Sequence, residues 1–129
     1  MKKLLLILLC LPMIGFGQLT MIPDANFEQF LINVGYDAAP VNGSVYTAMI
    51  NTITSLDVSS SNISDLTGIE DFSALTYLDC IDNQITSLDV SGATALTSLD
   101  CGGNQLTSLD VSGATALTYL DCSDNQITS

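Results

Sequence analysis

Residues 75–95 read LTYLDCIDNQITSLDVSGATA and residues 96–116 read LTSLDCGGNQLTSLDVSGATA, so the chain copies itself with a period of 21 residues. The copies differ only at Tyr77/Ser98, Ile81/Gly102, Asp82/Gly103 and Ile85/Leu106, and a third copy runs from Leu117 to Ser129. Repetition at this spacing specifies a solenoid, because a unit this small buries its apolar edge only against its neighbours. Leu75, Ile85, Leu96, Leu106 and Leu117 each open the pattern apolar-Thr-x-Leu-Asp-(Cys or Val), and Ile127 begins it again as Ile-Thr-Ser, at spacings alternating between 10 and 11. Each coil is therefore expected to carry two short extended segments on opposite sides. In Leu78-Asp79-Cys80 the Leu and Cys share one face and the Asp takes the other, which is the alternation of a half-buried strand; Leu88-Asp89-Val90 repeats it.

Leu75-x-x-Leu78-x-Cys80-x-x-Asn83-x-Ile85 resembles the LxxLxLxxNxL segment of leucine-rich repeats. The 21-residue unit, with its second LxxLDV half, resembles the nested repeats of secreted bacterial leucine-rich proteins related to the internalins. The resemblance covers residues 53–129. It implies an α/β fold, a leucine-rich repeat solenoid whose short parallel strands line a concave side, and a binding module as the default role. Cys80, Cys101 and Cys122 stand where the family usually has Leu.

The expected organisation is a signal peptide over 1–17, an N-terminal helical cap over 18–52, and coils at 53–74, 75–95, 96–116 and, incomplete, 117–129. Lys2 and Lys3, the apolar run Leu4–Ile14 and Gly15-Phe16-Gly17 make up the leader, with cleavage expected after Gly17. That run is shorter than the ~18 residues that a membrane span needs. Cys10 lacks the flanking small residue and the length of preceding apolar sequence that lipidation calls for. In the cap, the pattern turns helical from Met21 to Gly35, with Asp24 as its capping residue, Phe27, Phe30, Leu31 and Val34 at i, i+3, i+4 and i+7 and Glu28 in the first turn. Ala39-Pro40 and Asn42-Gly43 mark a turn, and Ser44–Ile50 reads equally as strand or short helix. Residues 63–69 depart from the later copies, with a short helical turn expected over 70–74. Ser129 falls just before the Leu that would complete its half-coil. A longer parent protein with more coils and a C-terminal anchoring region is therefore expected, and a marginal, aggregation-prone monomer for this chain alone.

Charge excludes several functions. Lys2 and Lys3 are the only basic residues, so leader removal takes the formal charge from −12 to −14 and leaves no Lys, Arg or His. Phosphate backbones and anionic membranes are repelled by such a chain, so neither nucleic acid nor membrane insertion is expected. Without His there is no imidazole base, nucleophile partner or metal ligand, and a two-carboxylate glycosidase needs a cleft that a short regular solenoid lacks. No catalysis and no cofactor are expected.

Stacking then turns repeats into columns. Leu56, Leu78, Leu99 and Leu120 form one inner row; Val58, Cys80, Cys101 and Cys122 form another, as buried free thiols rather than a disulfide or metal set. Asn83, Asn104 and Asn125, with Ser61 in the first coil, form a bend column that satisfies backbone groups. The acidic columns, Asp57/Asp79/Asp100/Asp121 and Asp89/Asp110, place like charges about 5 Å apart, at a cost of about 0.8 kcal/mol in water and about 3 kcal/mol at an effective dielectric of 20. Three outcomes are open: hydrogen bonds from neighbouring Ser and Thr, protonation, or weak calcium binding, although no EF-hand or GGxGxDxUx loop is present.

The outward strip carries the candidate ligand contacts: Tyr77, Ser98 and Tyr119, then Asp79, Asp100 and Asp121, then Ile81, with Gly102 and Ser123 in its row and Asp82 and Asp124 below. Alternate coils match better than adjacent ones, which points to duplication of a 42-residue unit. Tyr, Asp and Ser on a rigid sheet suit a protein or glycan ligand. The alternative is an acidic spacer, stabilised by divalent cations, whose repeats set length and charge.

Overall fold

In the computed structural model, which describes residues 17–128, the repeats stack as their period requires. Strands β3 (Ser55–Asp57), β4 (Tyr77–Asp79), β5 (Ser98–Asp100) and β6 (Tyr119–Asp121) form one parallel sheet in chain order. Its register aligns Leu56, Leu78, Leu99 and Leu120, and beside them Asp57, Asp79, Asp100 and Asp121. Leu56, Leu78 and Leu99 are buried in a continuous core with Val58, Cys80, Cys101, Ile63, Ile85 and Leu106, whereas Leu120 on the outermost strand is 40% exposed. The leader expected over 1–17 lies outside the described residues except for Gly17. No described helix is long and apolar enough to cross a membrane.

The two halves of each coil do not behave alike. The second halves, expected as extended segments of their own, share a single parallel bridge, Asp89 to Asp110. Their backbone groups instead close local turns: Ala93 N–H donates to Val90 O and Leu96 N–H to Ala93 O, a pattern repeated at Ala114 and Leu117. In the first coil the corresponding stretch leads into a 3₁₀ turn at Ile69–Asp71, close to the helical turn expected over 70–74.

The Asn column stitches the bend. Asn104 Nδ2 donates to Cys80 O in the previous coil and to Cys101 O and Gly102 O in its own, while its Oδ1 accepts from Ile85 N–H. Asn83 does the same with Val58 O and Cys80 O and accepts from both Ser61 N–H and Ile63 N–H. Asn125 repeats the pattern on Cys101 O, Cys122 O and Leu106 N–H. Each amide thus satisfies backbone groups that the curve of the chain takes out of the sheet.

The segment ahead of the coils corrects one expectation. Helix α1 is Ala25–Asn33, and Met21, read as part of the helical pattern, belongs to strand β1 (Leu19–Met21), antiparallel to β2 (Ser44–Tyr46). Pro23 explains the boundary, because the residue before a proline is held extended. Asp24 caps α1 as read, accepting from Asn26 and Phe27 N–H at 2.9 and 3.0 Å, and its second oxygen accepts from Ser64 and Asp65 N–H of the first coil. Phe27 and Leu31 are buried, Phe30 is partly so, and Val34, beyond the last turn, is exposed. The Phe27 ring stacks on Phe72 with centroids 6.1 Å apart, joining α1 to the coil core. The ambiguous stretch resolves into both alternatives, with β2 followed by the single turn α2 (Thr47–Ile50).

Candidate functional site

The outward face of the β3–β6 sheet brings the sequence-selected residues together as drawn. Tyr77 pairs with Ser98 and Ser98 with Tyr119, while Asp79, Asp100 and Asp121 stand in register beside them. Tyr77 and Tyr119 are 39% and 52% exposed. Ile81 is half-buried, in line with buried Gly102 and exposed Ser123.

Each strand carboxylate is held by its own backbone. Asp57 Oδ1 accepts from Ser59 N–H at 3.0 Å and the Ser59 hydroxyl at 2.7 Å; Asp79 Oδ1 takes Ile81 N–H, Asp100 Oδ1 takes Gly102 N–H, and Asp121 Oδ1 takes Ser123 N–H. At Asp57 and Asp121 these bonds favour the charged form. Hydrogen bonding from the Ser59 hydroxyl and backbone holds Asp57 below the usual carboxylate range, and Ser123 does so for Asp121. Ser91 and Ser112 act likewise on Asp89 and Asp110 on the far side of the coil. Of the three outcomes left open, these four carboxylates adopt the first and reject protonation. The Tyr77 hydroxyl donates to Asp79 Oδ2 at 3.4 Å, and the negative charge of Asp79 raises the phenol pKa.

Calcium finds no gathered ligand set: among the described residues no three Asp, Glu or Cys groups could hold a metal ion. The cysteines among the described residues are free thiols, buried at Cys80 and Cys101 and half-buried at Cys122. Cys80 Sγ lies 3.4 Å from Asp100 O, and burial pushes the Cys101 thiol up to about 12 and raises that of Cys80.

Two features escaped sequence reading. One is a left-handed column at Ser60, Asp82, Gly103 and Asp124, with φ of 49°, 55°, 62° and 51°. A Cβ on Gly103 would meet Asp82 Oδ1, so the glycine separates two aspartates along the edge, which accounts physically for that part of the coil alternation. The other is a pair of polar grooves on the second-half side. The first, about 470 Å³, is lined by Ser64, Asp65, Thr67, Glu70, Ser87 and Asp89; the second, about 500 Å³, by Thr86, Ser87, Asp89, Thr107, Ser108 and Asp110. Neither includes a residue selected as a ligand contact, because a strand face is a surface rather than a cavity.

One short parallel strand per coil, a column of bend asparagines from the second coil onward and leucines filling the interior define a leucine-rich repeat solenoid. A family model described as leucine-rich repeats (2 copies) matches residues 94–129. Internalin J of Listeria monocytogenes serotype 4b (strain F2365) is 53% identical over 72 residues, 56% of this chain and 8% of that protein. Among solved structures, the functional domain of InlJ from Listeria monocytogenes, described as including a cysteine ladder, matches with a TM-score of 0.77 and 40% identity over 88% of this chain and 26% of its own. The internalin InlF of strain 4b F2365 matches with a TM-score of 0.76 and 29% identity, covering 84% of this chain and 32% of its own. The chain thus spans a small part of the internalin J sequence and about a third or less of the two solved chains. Over that part its coils are leucine-rich repeats similar to those of the Listeria internalins.

Proposed function

We infer that this chain is a recognition module, secreted or displayed at a cell surface behind a cleaved leader over 1–17, that binds a protein or glycan ligand through the outward face of the β3–β6 sheet. Residues 18–52 serve it as an N-terminal cap. The observation that carries the reading is the concentration of exposed Tyr77 and Tyr119, with clamped carboxylates between and beside them, on a face that the register holds rigid. Internalin-type relatives support it, since leucine-rich repeats of this kind are generally protein-interaction modules. The test is to probe protein and glycan arrays with the chain and with two variants, Y77A/D100N/Y119A on the strand face and D89N/D110N on the other side. Signals lost only in the first variant support the assignment; signals indifferent to it overturn the assignment.

The near-identity of residues 75–95 and 96–116 favours a second reading, an acidic spacer. A midpoint of thermal unfolding that rises in millimolar calcium, and no longer does so in D79N/D100N, would support the cation-stabilised form of that spacer.

A further inference from the structure

The strand face carries a more particular chemistry than acidity alone. Tyr77 and Tyr119 stand two strands apart on either side of Ser98, which fills little of the space between them. Neighbouring strands lie about 4.8 Å apart, so the two ring-bearing positions are about 9.6 Å apart. The Tyr77 hydroxyl reaches along its own strand to Asp79 Oδ2 at 3.4 Å; with both rings turned inward, such positions would hold one planar group, each ring touching it at about 3.5–4.0 Å. Beside Ser98 on the same central strand is Asp100, whose Oδ1 is occupied by Gly102 N–H at 3.1 Å. Among the described residues nothing donates to its Oδ2, so the clamp fixes the carboxylate and leaves one oxygen for a ligand.

The occupant follows from charge. From residue 4 onward the chain has no Lys, Arg or His, and Asp57, Asp79, Asp100 and Asp121 line this face. We propose that the slot between Tyr77 and Tyr119 receives an arginine side chain of a basic protein ligand, its guanidinium stacked between the rings and donating to Asp100 Oδ2. The inference rests on the strand face being the ligand-binding surface. Aromatic faces attract cations, and guanidinium–carboxylate hydrogen bonds are stronger than neutral ones. A planar guanidinium fills a flat slot, whereas the compact lysine ammonium does not stack. A neutral sugar gains the stacking but none of the attraction of the flanking carboxylates.

The experiment measures fluorescence anisotropy of the full-length chain with an alternating Gly-Arg peptide and with a Gly-Lys peptide of equal length and charge, at one ionic strength. The Gly-Arg peptide is expected to bind at least about fivefold tighter. Y77A and Y119A should each abolish that preference, Y77F should keep it, and D89N/D110N should leave it unchanged, all with unaltered circular dichroism. Equal affinity for the two peptides, or a preference that survives Y77A and Y119A, overturns the slot and leaves only bulk attraction. A neutral oligosaccharide or a non-basic protein that binds only while Tyr77 and Tyr119 are present, with no preference for the Gly-Arg peptide, also overturns the slot but leaves the strand face as the binding surface. If no probe depends on Tyr77, Asp100 or Tyr119, both fall.

Discussion

Replacing Asn104 by Ala tests the bend column most directly, because its cost can be worked bond by bond. The substitution removes donation to Cys80 O, Cys101 O and Gly102 O at 2.9, 3.0 and 3.1 Å, and acceptance from Ile85 N–H at 3.0 Å. The three carbonyls keep second partners, namely Asn83 Nδ2, Asn125 Nδ2 and Asp82 N–H. Ile85 N–H keeps none. One orphaned buried donor costs about 1–3 kcal/mol, and the weakened carbonyls add about 1 kcal/mol. The expected loss is about 3 kcal/mol, or about 12 °C in Tm at roughly 4 °C per kcal/mol for a domain of this size. Asn83→Ala should cost more, since Ser61 and Ile63 N–H both lose their acceptor. Asn125→Ala should cost less, because the groups it strands, Leu106 N–H and Cys122 O, are in a partly exposed setting. Urea and thermal unfolding followed by far-ultraviolet circular dichroism measure all three. A cost at Asn104 below about 1 kcal/mol, or a larger loss at Asn125 than at Asn83, would refute the satisfaction argument.

Three further outcomes follow from the same geometry. Gly68 has φ of 106°, and a Cβ there would meet the Ile22 side chain and lie 2.7 Å from Met21 O, so Gly68→Ala should cost about 2–4 kcal/mol in urea unfolding; a near-neutral result would mean that β1 does not cross this coil. With Cys10 replaced, iodoacetamide at mild alkaline pH should modify Cys122 well before Cys80 and Cys101, whose thiols burial keeps protonated; mass spectrometry of the native chain showing equal labelling would contradict that burial. Asp57, Asp89, Asp110 and Asp121 have folded pKa values below their unfolded ones, so the unfolded chain binds more protons as the pH falls past about 4. The stability that they contribute is complete above the unfolded carboxylate range and lost as the pH drops through the folded values. Thermal melts from about pH 6 to about pH 3 should therefore fall less steeply when all four are Asn, and an unchanged slope would rule these bonds out.

The coil period, the register of Leu56, Leu78, Leu99 and Leu120, the bend asparagines and the buried thiols were all legible in the sequence. Repetition makes long-range neighbours predictable, since residue i faces residue i+21, or i+22 across the first coil, whatever the loop between them does. The outward rows Tyr77/Ser98/Tyr119 and Asp79/Asp100/Asp121 were legible for the same reason. Asp24 could be read as a cap because capping is local.

What escaped the sequence depends on contacts that carry no period. The sextet ITSLDV occurs at 53–58 and again at 85–90, yet only the first becomes sheet, because the second closes turns on itself and keeps one bridge at Asp89 and Asp110. Strand β1 exists because Ser44–Tyr46 comes back to pair with it. Glu28 looked like a first-turn helix residue, but it is buried and accepts from Asn42 and Gly43 N–H at 2.7 Å, tying helix to turn ahead of the coils. Asp57, Asp89, Asp110 and Asp121 choose their state in the same way: composition counts unrelieved negative charges, while the fold supplies each of them with the N–H two residues on. Pattern thus determined which residues become neighbours along the solenoid. Tertiary structure decided which backbone donors reach them, because a hydrogen bond depends on where a turn leaves its N–H.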